Sequence, residues 1–397
     1  MTKINVMHML ELTQAYGVER HFLNYLELAT RVPGEIQHYI CAIKISDDIK
    51  EELEALNVSF IINNLRTPRK FQSFKQYIQK NKIDILHTYS LLRSPFKSRI
   101  MPKIAGIPTI LEHERGMVWN MKAKFLGRLT NHLSNMNICN SNAAKIILKQ
   151  KCGIQATVVH NGVKLPGTEE YEESILKLRA ELGISPQDKI VGFIGRLNTP
   201  KGVHAYIRMV PIVRTQYPNA KIIIVGDGPM RQELENYAES LGVRDDIAFL
   251  GFRRDARLIM RLLDVLVVPS IRESFGNVVI EAAFAKKPVV ASCVDGLAET
   301  IVDGKTGFLV ECTEPVLGPS SKAVSALPNY VVDGRTKKIR LPLLPNTEQL
   351  AERVIRCLSI PEEATEMGMN AYNRAIKCFS LERYLNDLDC IYRELAK

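Results

Sequence analysis

Two cations and two carboxylates in the second half of this chain have the types and spacing to form a ligand site, in which the cations would stabilise a departing phosphate and both carboxylates would face the same ligand. Arg196 and Lys201 lie five positions apart around a predicted strand-to-helix turn. Glu273 and Glu281 lie eight positions apart, the first on a turn and the second within the helix that follows it. Cations held in a site stabilise negative charge as it develops on a leaving phosphate. Pairs of cations and pairs of carboxylates also occur on solvated surfaces. The predicted strands and helices around these four residues must therefore show whether they form a site.

The two glutamates follow a sequence pattern that places a turn at the edge of a sheet. Val265–Val268 is an apolar run short enough for a buried strand, and Pro269 with Ser270 ends it. A helix is predicted from near Phe275. Its inward face would carry Val278, Val279, Ala282 and Ala283. The turn therefore lies at the carboxyl edge of a parallel sheet, where open α/β sheets bind ligands, and the helix start offers free N–H groups to a phosphate.

Strand-like runs alternate with helical patterns along the whole chain. In the first half the predicted strands are Ile4–Leu10, Tyr39–Lys44, Phe60–Ile62, Ile83–His87, Thr109–Glu112, Met136–Cys139 and Thr157–His160. In the second half the further strands are Lys189–Gly195, Lys221–Gly226, Ile247–Gly251, Pro288–Ala291 and Gly307–Val310. This alternation predicts parallel, doubly wound sheets, and 397 residues suffice for two domains. We therefore expect an α/β fold of two Rossmann-like domains.

The composition is that of a soluble globular enzyme, with 46% hydrophobic and 24% charged residues. No apolar run approaches the roughly 18 residues of a membrane span, and no signal peptide is expected at the N-terminus. The 8 cysteines are scattered without metal-binding spacing, as in proteins of a reducing compartment. We expect a cytoplasmic protein.

The positive net charge of +10 is concentrated in the first half. Residues 1–165 hold 23 Lys and Arg against 12 Asp and Glu, and residues 60–130 alone hold 14 against 3. A basic face attracts nucleic acid, an anionic membrane or an anionic substrate, and no nucleic-acid motif supports the first. Apolar residues are interleaved with these charges: Phe96, Ile100, Met101, Met117, Val118, Trp119, Met121, Phe125 and Leu126 among Lys122, Lys124 and Arg128. We predict contact with an anionic membrane surface through 60–130; the alternative is a core helix with solvated charges.

The turn around Glu273 resembles the donor site of nucleotide-sugar glycosyltransferases of the GT-B fold, specifically the large retaining family four. That donor site carries two glutamates with seven residues between them, and Ser274-Phe275-Gly276 matches the small-aromatic-Gly step that follows the first. The family's Gly-Arg and Lys-Gly pairs match Gly195-Arg196 and Lys201-Gly202. The resemblance is close over about 190–311 and looser in the first half. It implies two Rossmann-like domains that face each other across a cleft.

The resemblance also implies a role for each charged residue. Arg196 and Lys201 would stabilise the β-phosphate of the departing nucleoside diphosphate. Glu273 would face the transferred sugar, and Glu281 would accept hydrogen bonds from the ribose hydroxyls. The first-domain histidine His113 would face the donor sugar, although a histidine at a strand end is more often structural.

The remaining donor contacts implied by the resemblance involve the backbone. Ser274, Phe275, Gly276 and Asn277 would hold sugar hydroxyls or phosphate, and Gly226 and Gly228 would let the chain pass close to the nucleotide. Phe252 and Arg253 would lie at the base. Gly17 would approach the diphosphate, but Tyr16 stands where the family has a second glycine. The alternatives are ordinary turn geometry for the glycines and a surface charge for Arg253.

We expect an acceptor-binding domain at 1–165 and a nucleotide-sugar-binding domain at 166–379. In this fold the C-terminal helix crosses back onto the first domain, and 380–397 has a face that suits it: Tyr384, Leu388, Ile391 and Leu395. Residues 312–346 form an insert that the family lacks, with five prolines and the hairpin signal Asp333-Gly334. Four apolar residues of this insert would have to be buried against other residues: Val331, Val332, Ile339 and Leu341. Because a lone two-stranded hairpin is marginal in water, we expect it to pack on the second domain or on another protein. The alternative is a passive surface insertion, since long loops cost little entropy per added residue.

The resemblance implies a retaining glycosyltransferase that moves a sugar from a nucleotide-diphosphate donor to a hydroxyl of a glycan or lipid-linked acceptor. Cell-surface polysaccharide, lipopolysaccharide or glycolipid synthesis would use such an enzyme at the inner face of the cytoplasmic membrane. We expect no cofactor and no catalytic metal, since no Asp-x-Asp follows a strand as in the other main transferase fold. Two alternatives remain open: a nucleotide-sugar 2-epimerase of the same fold, and a donor-binding subunit without catalysis.

Overall fold

The computed structural model describes residues 3–13, 17–32, 34–89, 94–116, 124–167, 171–316 and 327–397. The chain divides into two compact units. The first unit is Met1–Lys164 together with Phe379–Lys397, and the second unit is Leu165–Cys378. Each division lies one residue before the boundary expected from the sequence.

Within the described residues, the first unit is built on a seven-stranded sheet in which all strands run parallel. Its strands are β1 (Ile4–Leu12), β2 (Ile36–Ile45), β3 (Ser59–Ile62), β4 (Ile85–Tyr89), β5 (Thr109–Glu114), β6 (Met136–Cys139) and β7 (Thr157–Val158). They lie in the order β3-β2-β1-β4-β5-β6-β7. The helices between them are α1 (Val18–Arg31), α2 (Asp47–Ala55), α3 (Pro68–Asn81), α4 (Met101–Ala105), α5 (Lys124–Leu129) and α6 (Asn142–Ile147). The strands predicted in this half are confirmed, with ends that differ by a few residues.

The second unit contains a parallel sheet of six strands within its described residues. These strands are β8 (Ile190–Ile194), β9 (Lys221–Val225), β10 (Ile247–Gly251), β11 (Val265–Val268), β12 (Val289–Ser292) and β13 (Phe308–Val310). They lie in the order β10-β9-β8-β11-β12-β13. Four short strands follow: β14 (Cys312–Glu314), β15 (Val331–Val332), β16 (Ile339–Arg340) and β17 (Leu344–Pro345). The helices are α7 (Glu172–Glu181), α8 (Val203–Gln216), α9 (Arg231–Ser240), α10 (Ala256–Leu262), α11 (Asn277–Phe284), α12 (Leu297–Thr300), α13 (Thr347–Ser359), α14 (Pro361–Phe379) and α15 (Leu381–Leu395), the last of which belongs to the first unit.

Both sheets reverse their strand order at one point. In the first unit the reversal lies between β1 and β4, and in the second between β8 and β11. Ligands of doubly wound folds bind beyond the carboxyl ends of the strands at such a reversal. The turns that carry Lys201 and Glu273 follow β8 and β11 directly, so both candidate groups start from the expected place. The two-domain α/β architecture predicted from the sequence is confirmed.

The buried strand β11 shows why an unbroken apolar run was required. Val265 and Val267 pack with α8 and α13 on one face, while Leu266 and Val268 pack with α10 and α11 on the other. Strands of a parallel sheet that is covered on both faces are predominantly apolar. The apolar run of β11 ends at Val268, and Pro269 and Ser270 follow where the chain leaves the sheet.

The C-terminal helix α15 packs on α1 and β1 of the first unit. Tyr384 and Leu388 are fully buried, and the other two residues of the predicted face, Ile391 and Leu395, are partly buried against the same core. The sequence did not single out Tyr392, which is also fully buried.

The predicted hairpin at Asp333-Gly334 is confirmed, since β15 pairs with β16 in antiparallel register. Val331 and Val332 are buried in the second unit, so the hairpin packs on its own domain. The expectation that Leu341 is covered is wrong, because this side chain is largely exposed just after β16 ends. A second antiparallel pair, β14 with β17, closes the insert. Residues 317–326 lie outside the described part of the chain.

Candidate active site

The turn after β8 delivers Lys201 to the edge of the second sheet. Residues Thr199–Lys201 form a single 3-10 turn, and Gly202 ends it with a φ of 61°. A Cβ atom at Gly202 would lie 2.1 Å from the carbonyl oxygen of Pro269. Only glycine allows this approach and this φ together, so Gly202 lets the turns after β8 and β11 touch.

The turn after β11 is tied to the first turn by its backbone. The N–H groups of Ile271 and Arg272 both donate to the carbonyl oxygen of Pro200, at 2.9 and 3.3 Å. The side chains then meet: Lys201 Nζ lies 2.5 Å from Glu273 Oε2. Their side chains are 25% and 15% exposed, respectively, so this ion pair is partly shielded from water. The structure thus brings together one predicted cation and one predicted carboxylate.

Arg196 stands apart from this pair. Its side chain is exposed and makes no hydrogen bond or ion pair with any part of the chain that the structure describes. The two predicted cations therefore differ: Lys201 is already neutralised, and Arg196 can accept an incoming anion without first losing a partner.

Glu281 lies half-buried on α11, about one turn from the start of that helix. Burial raises the pKa of its carboxyl group, and the nearby cations Arg257 and Lys201 oppose that rise. Lys201 is therefore close enough to influence both glutamates. The sequence did not single out Arg257, because an exposed arginine on a helix carries no signal of its own.

The predicted start of the helix at Phe275 is wrong by two residues. Gly276 adopts a left-handed φ of 96°, which ends the turn, and α11 begins at Asn277. This shift also corrects the predicted inward face: Val278 is only half-buried, whereas Ile280 is buried beside Val279, Ala282 and Ala283. Phe275 is itself buried, so its backbone, not its ring, is available at the turn. Ser274 and Asn277 are half-buried beside it.

Gly226 and Gly228 let the turn after β9 lie against the turn after β8. A Cβ atom at Gly226 would be 1.9 Å from the oxygen of Gly195, and one at Gly228 would be 2.3 Å from the oxygen of Leu197. These contacts account for both glycines through backbone packing alone. They also hold the Arg196 turn in place.

Phe252 and Arg253 follow β10 and differ in their exposure and contacts. Phe252 is exposed, as a residue that stacks on a base would need to be. The guanidinium of Arg253 lies 2.7 Å from Glu181 and pairs with both carboxylate oxygens of Asp255, at 2.7 and 2.9 Å. Arg253 is thus committed to carboxylates of its own unit, in line with the alternative of a surface charge.

The first unit places Gly17 and His113 at the carboxyl ends of β1 and β5. Gly17 has a φ of 56° and precedes α1, and no atom of the described residues lies within 4 Å of a Cβ built on it. His113 is buried, and burial followed by the charge of Arg115 lowers its pKa well below the usual value. Its Nδ1 lies 3.3 Å from Nε2 of His87, whose own Nδ1 lies 2.6 Å from the hydroxyl of Tyr392. In the described residues, Nε2 of His113 is buried with no hydrogen-bond partner.

Among the described residues, no group of three His, Cys, Asp or Glu side chains is arranged to hold a metal ion. In the same part of the chain, no helix has both the length and the apolar character needed to cross a membrane.

Comparisons with known proteins identify both halves. The sequence profile described as Glycosyltransferase Family 4 matches residues 15–165, and the profile described as Glycosyl transferases group 1 matches residues 174–316. An uncharacterized glycosyltransferase of Methanocaldococcus jannaschii is 30% identical over 59% of this chain. The alignment spans 64% of that relative, which is less than two thirds of its length.

Two further relatives extend over more of the chain. The Escherichia coli UDP-Gal:alpha-D-GlcNAc-diphosphoundecaprenol alpha-1,3-galactosyltransferase is 24% identical over 79% of this chain and 85% of its own length. The solved structure of Anabaena Alr3699/HepE in complex with UDP has a TM-score of 0.76 and 19% identity, and covers 98% of this chain and 100% of that chain. The last comparison supports the fold alone. With the two profiles and the two reversed parallel sheets, these matches show that the chain belongs to the glycosyltransferases of the GT-B fold.

Proposed function

We propose that this protein is a retaining glycosyltransferase that moves a hexose from a nucleoside diphosphate to a hydroxyl of a glycan or lipid-linked acceptor. The observation that carries the proposal is the ion pair between Lys201 and Glu273 at the reversal of the second sheet. Arg196 adds a positive charge that no described side chain pairs, on the same turn as Lys201, and Glu281 adds a second carboxylate near Lys201. In this proposal the cations serve the diphosphate and the carboxylates serve the sugar and ribose beside it.

In the proposed reaction, the bond between sugar C1 and the β-phosphate oxygen breaks while C1 bonds to the acceptor oxygen on the same face. The departing phosphate oxygen takes the proton of the acceptor hydroxyl, so no protein base is assigned. Arg196 and Lys201 stabilise the charge that develops on the diphosphate. Glu273 faces the positive charge on the sugar, and Glu281 binds the ribose hydroxyls. The reaction uses no metal in this proposal.

Uridine diphosphate sugars are the first donors to test. The E. coli relative is named for a UDP-Gal donor, and the Anabaena structure was solved in complex with UDP. The acceptor of the E. coli relative is a sugar on diphosphoundecaprenol, which supports a lipid-linked acceptor here. A role in polysaccharide, lipopolysaccharide or glycolipid synthesis follows from that acceptor class.

A lipid-linked acceptor requires approach to a membrane, and the basic range 60–130 supplies the surface we propose for it. Phe96, Ile104 and Leu129 are exposed apolar residues in this range, and Arg128 is an exposed cation. Arg99 does not contribute, because it is fully buried and donates to Glu112. The predicted segment Met117–Lys122 lies outside the described residues. We propose a cytoplasmic protein that binds the inner membrane face through this surface.

Binding and turnover measured on one panel of nucleotide sugars test the proposed function. A donor at 100 times its Kd stabilises the folded protein by about 2.7 kcal/mol, which raises Tm by about 5–10 °C for a domain of this size. The stabilising donors are then incubated with a polyprenyl-diphosphate-linked sugar, and the products are analysed. A glycosylated acceptor with the donor's anomeric configuration is expected. Release of free nucleotide with an altered sugar would favour an epimerase, and stabilisation without turnover would favour a donor-binding subunit.

A further inference from the structure

A buried carboxylate lies directly behind the Glu273 turn. Asp295 sits between β12 and α12 and is 2% exposed. Its Oδ2 accepts a hydrogen bond from the backbone N–H of Glu273 at 3.3 Å. The N–H of the next residue, Gly296, donates to the carbonyl oxygen of Glu273 at 3.0 Å. Both backbone polar groups of Glu273 are thus held by two consecutive residues.

The same carboxylate holds the insert. Oδ1 of Asp295 accepts a hydrogen bond from the N–H of Val332 at 2.7 Å, and the N–H of Asp295 donates to the oxygen of Val332 at 2.9 Å. Val332 belongs to β15, the first strand of the hairpin 331–340. One side chain therefore joins the Glu273 turn to this hairpin.

The backbone around Asp295 leaves little freedom for these segments to shift. Asp295 has a φ of 45°, a left-handed conformation that aspartate adopts more readily than most residues. A Cβ atom at Gly296 would lie 2.3 Å from the oxygen of Ser274. The turn between β11 and α11 therefore rests directly on residues 295–296.

The hairpin is itself anchored, so it can serve as a support. Its first strand is buried, and the N–H of Gly334 donates to the oxygen of Cys293 at 3.1 Å. Nε of Arg340 donates to Asp333 at 3.0 Å across the hairpin. Further along the insert, Leu344 is buried, and its Cδ2 lies 3.2 Å from where a Cβ of Gly202 would be. The insert thus contacts the turns of both Lys201 and Glu273.

We infer that Asp295 is a positioning residue, which fixes Glu273 against the hairpin 331–340 and makes that hairpin part of the framework of the donor site. The inference rests on the proposed role of Glu273 in transfer. It assigns the insert a function within the second unit, as part of the framework that holds the Glu273 turn.

Asp303 offers a control for Asp295, because it lies in an Asp-Gly turn before β13 whose sequence resembles the turn of the hairpin. Residues 332–336 read Val-Asp-Gly-Arg-Thr, and residues 302–306 read Val-Asp-Gly-Lys-Thr. In the earlier turn, Oδ1 of Asp303 accepts a hydrogen bond from the N–H of Leu309 at 2.9 Å. Asp303 therefore caps a backbone N–H, as Asp295 does, without contacting the Glu273 turn.

The kinetic test compares D295N, D295G and the control D303N with the wild type. D295N keeps the side-chain shape and one acceptor oxygen, whereas D295G tolerates the positive φ and removes both acceptors. We expect kcat to fall by about 10- to 100-fold, more in D295G than in D295N, because a small misplacement of a site residue has effects of this size. The KM for the donor and the Kd of UDP should change by less than about threefold, as for an interaction made in the transition state. D303N should behave as the wild type.

Hydrogen exchange supplies a readout that needs no turnover. Peptides that cover 270–276 should exchange faster in both Asp295 variants and at the wild-type rate in D303N, since the Glu273 N–H loses its acceptor. If no donor is turned over by the wild type, the proposed function fails while this exchange result still decides whether Asp295 holds the turn. Wild-type kcat and unchanged exchange at 270–276 in D295N and D295G would overturn the inference. Should D295G not fold, D295N carries the test.

Discussion

At the residue scale, the main finding is that Lys201 and Glu273 neutralise each other before a donor binds. Their 2.5 Å contact and partial burial make the pair a single, nearly neutral unit. In the proposed reaction, an arriving diphosphate competes with Glu273 for Lys201, whereas Arg196 has no side-chain partner to lose within the described part of the chain. A carboxylate that weakens phosphate binding is useful only if it stabilises the positive charge on the sugar during transfer.

This competition predicts opposite kinetic effects for the two glutamates. In E273Q the neutral amide releases Lys201, so UDP should bind with unchanged or higher affinity while kcat falls by about 100-fold, the scale of losing one preorganised charge. In E281Q a carboxylate that would bind ribose is lost, so the Kd of UDP should rise with a smaller change in kcat. Isothermal titration with UDP and steady-state kinetics measure both quantities.

The control for these variants is E173Q. Glu173 pairs with Lys177 at 2.6 Å on the exposed helix α7, so its change alters an ion pair of the same type away from the site. E173Q should match the wild type in both measurements. If E273Q and E281Q shift Kd and kcat in the same proportions, the division of roles between them is wrong.

At the element scale, the sequence predicted the two parallel sheets well because strands covered on both faces are predominantly apolar, as β11 is throughout. It also located the turns of Lys201 and Glu273, since polar breaks follow the strands that precede them.

The sequence missed Asp295, whose partners are 22 and 37 positions away in the chain, because a contact of that range leaves no local pattern. The start of α11 was misjudged because Gly276 takes up a left-handed conformation that composition alone does not reveal. Tyr392 was missed because its role depends on His87 in a distant strand.

The first unit carries an unexpected cluster of buried histidines, four on strands of its sheet and one on α1. Five of the described histidines are buried there: His8, His21, His38, His87 and His113. Burial lowers the pKa of all five, that of His38 to about 4, and the charge of Arg115 lowers several of them further. Most lie within hydrogen-bonding distance of one another or of Tyr89. The cluster therefore depends on its histidines remaining uncharged.

Acid should destabilise the first unit selectively. Histidines of the unfolded chain bind protons below about pH 6.5, and the buried ones resist protonation until a much lower pH. Stability is therefore complete above about pH 6.5 and is lost as the pH falls toward 4, by about 1.4 kcal/mol per pH unit for each histidine that stays neutral. Urea unfolding at pH 7.5 and 5.5 measures the loss of stability. The signal is the fluorescence of Trp119, the single tryptophan, which falls in the sequence range of this unit.

Two variants separate the cluster from a general acid effect. H38N removes one buried histidine, so its loss of stability between pH 7.5 and 5.5 should be smaller than that of the wild type by about 1.4 kcal/mol. H132N changes a histidine that is exposed, and its loss should equal that of the wild type. Equal losses in all three proteins would contradict the assignment of the acid sensitivity to this cluster.

At the scale of the whole molecule, the uneven charge predicts binding to anionic membranes through the first unit. Each basic residue near an anionic surface contributes roughly 1 kcal/mol, and inserted apolar side chains add to this. The double variant F96S/I104S should therefore sediment less with anionic vesicles than the wild type does, and salt should weaken binding in both. L341S is the control, since Leu341 is even more exposed than Phe96 and Ile104 but lies in the second unit. Wild-type sedimentation that does not distinguish anionic from neutral vesicles would contradict a membrane surface at 60–130.

Transfer of a radiolabelled sugar from a nucleotide-sugar panel to the lipid-linked acceptor tests the central claim most directly. The account predicts labelled product from at least one donor with the wild type, and about 100-fold less with R196A or K201A. K177A, which alters an exposed lysine in an ion pair of similar length, should leave the yield unchanged. No labelled product from any donor, or R196A and K201A as active as K177A, would contradict the claim that the turns after β8 and β11 form the transfer site.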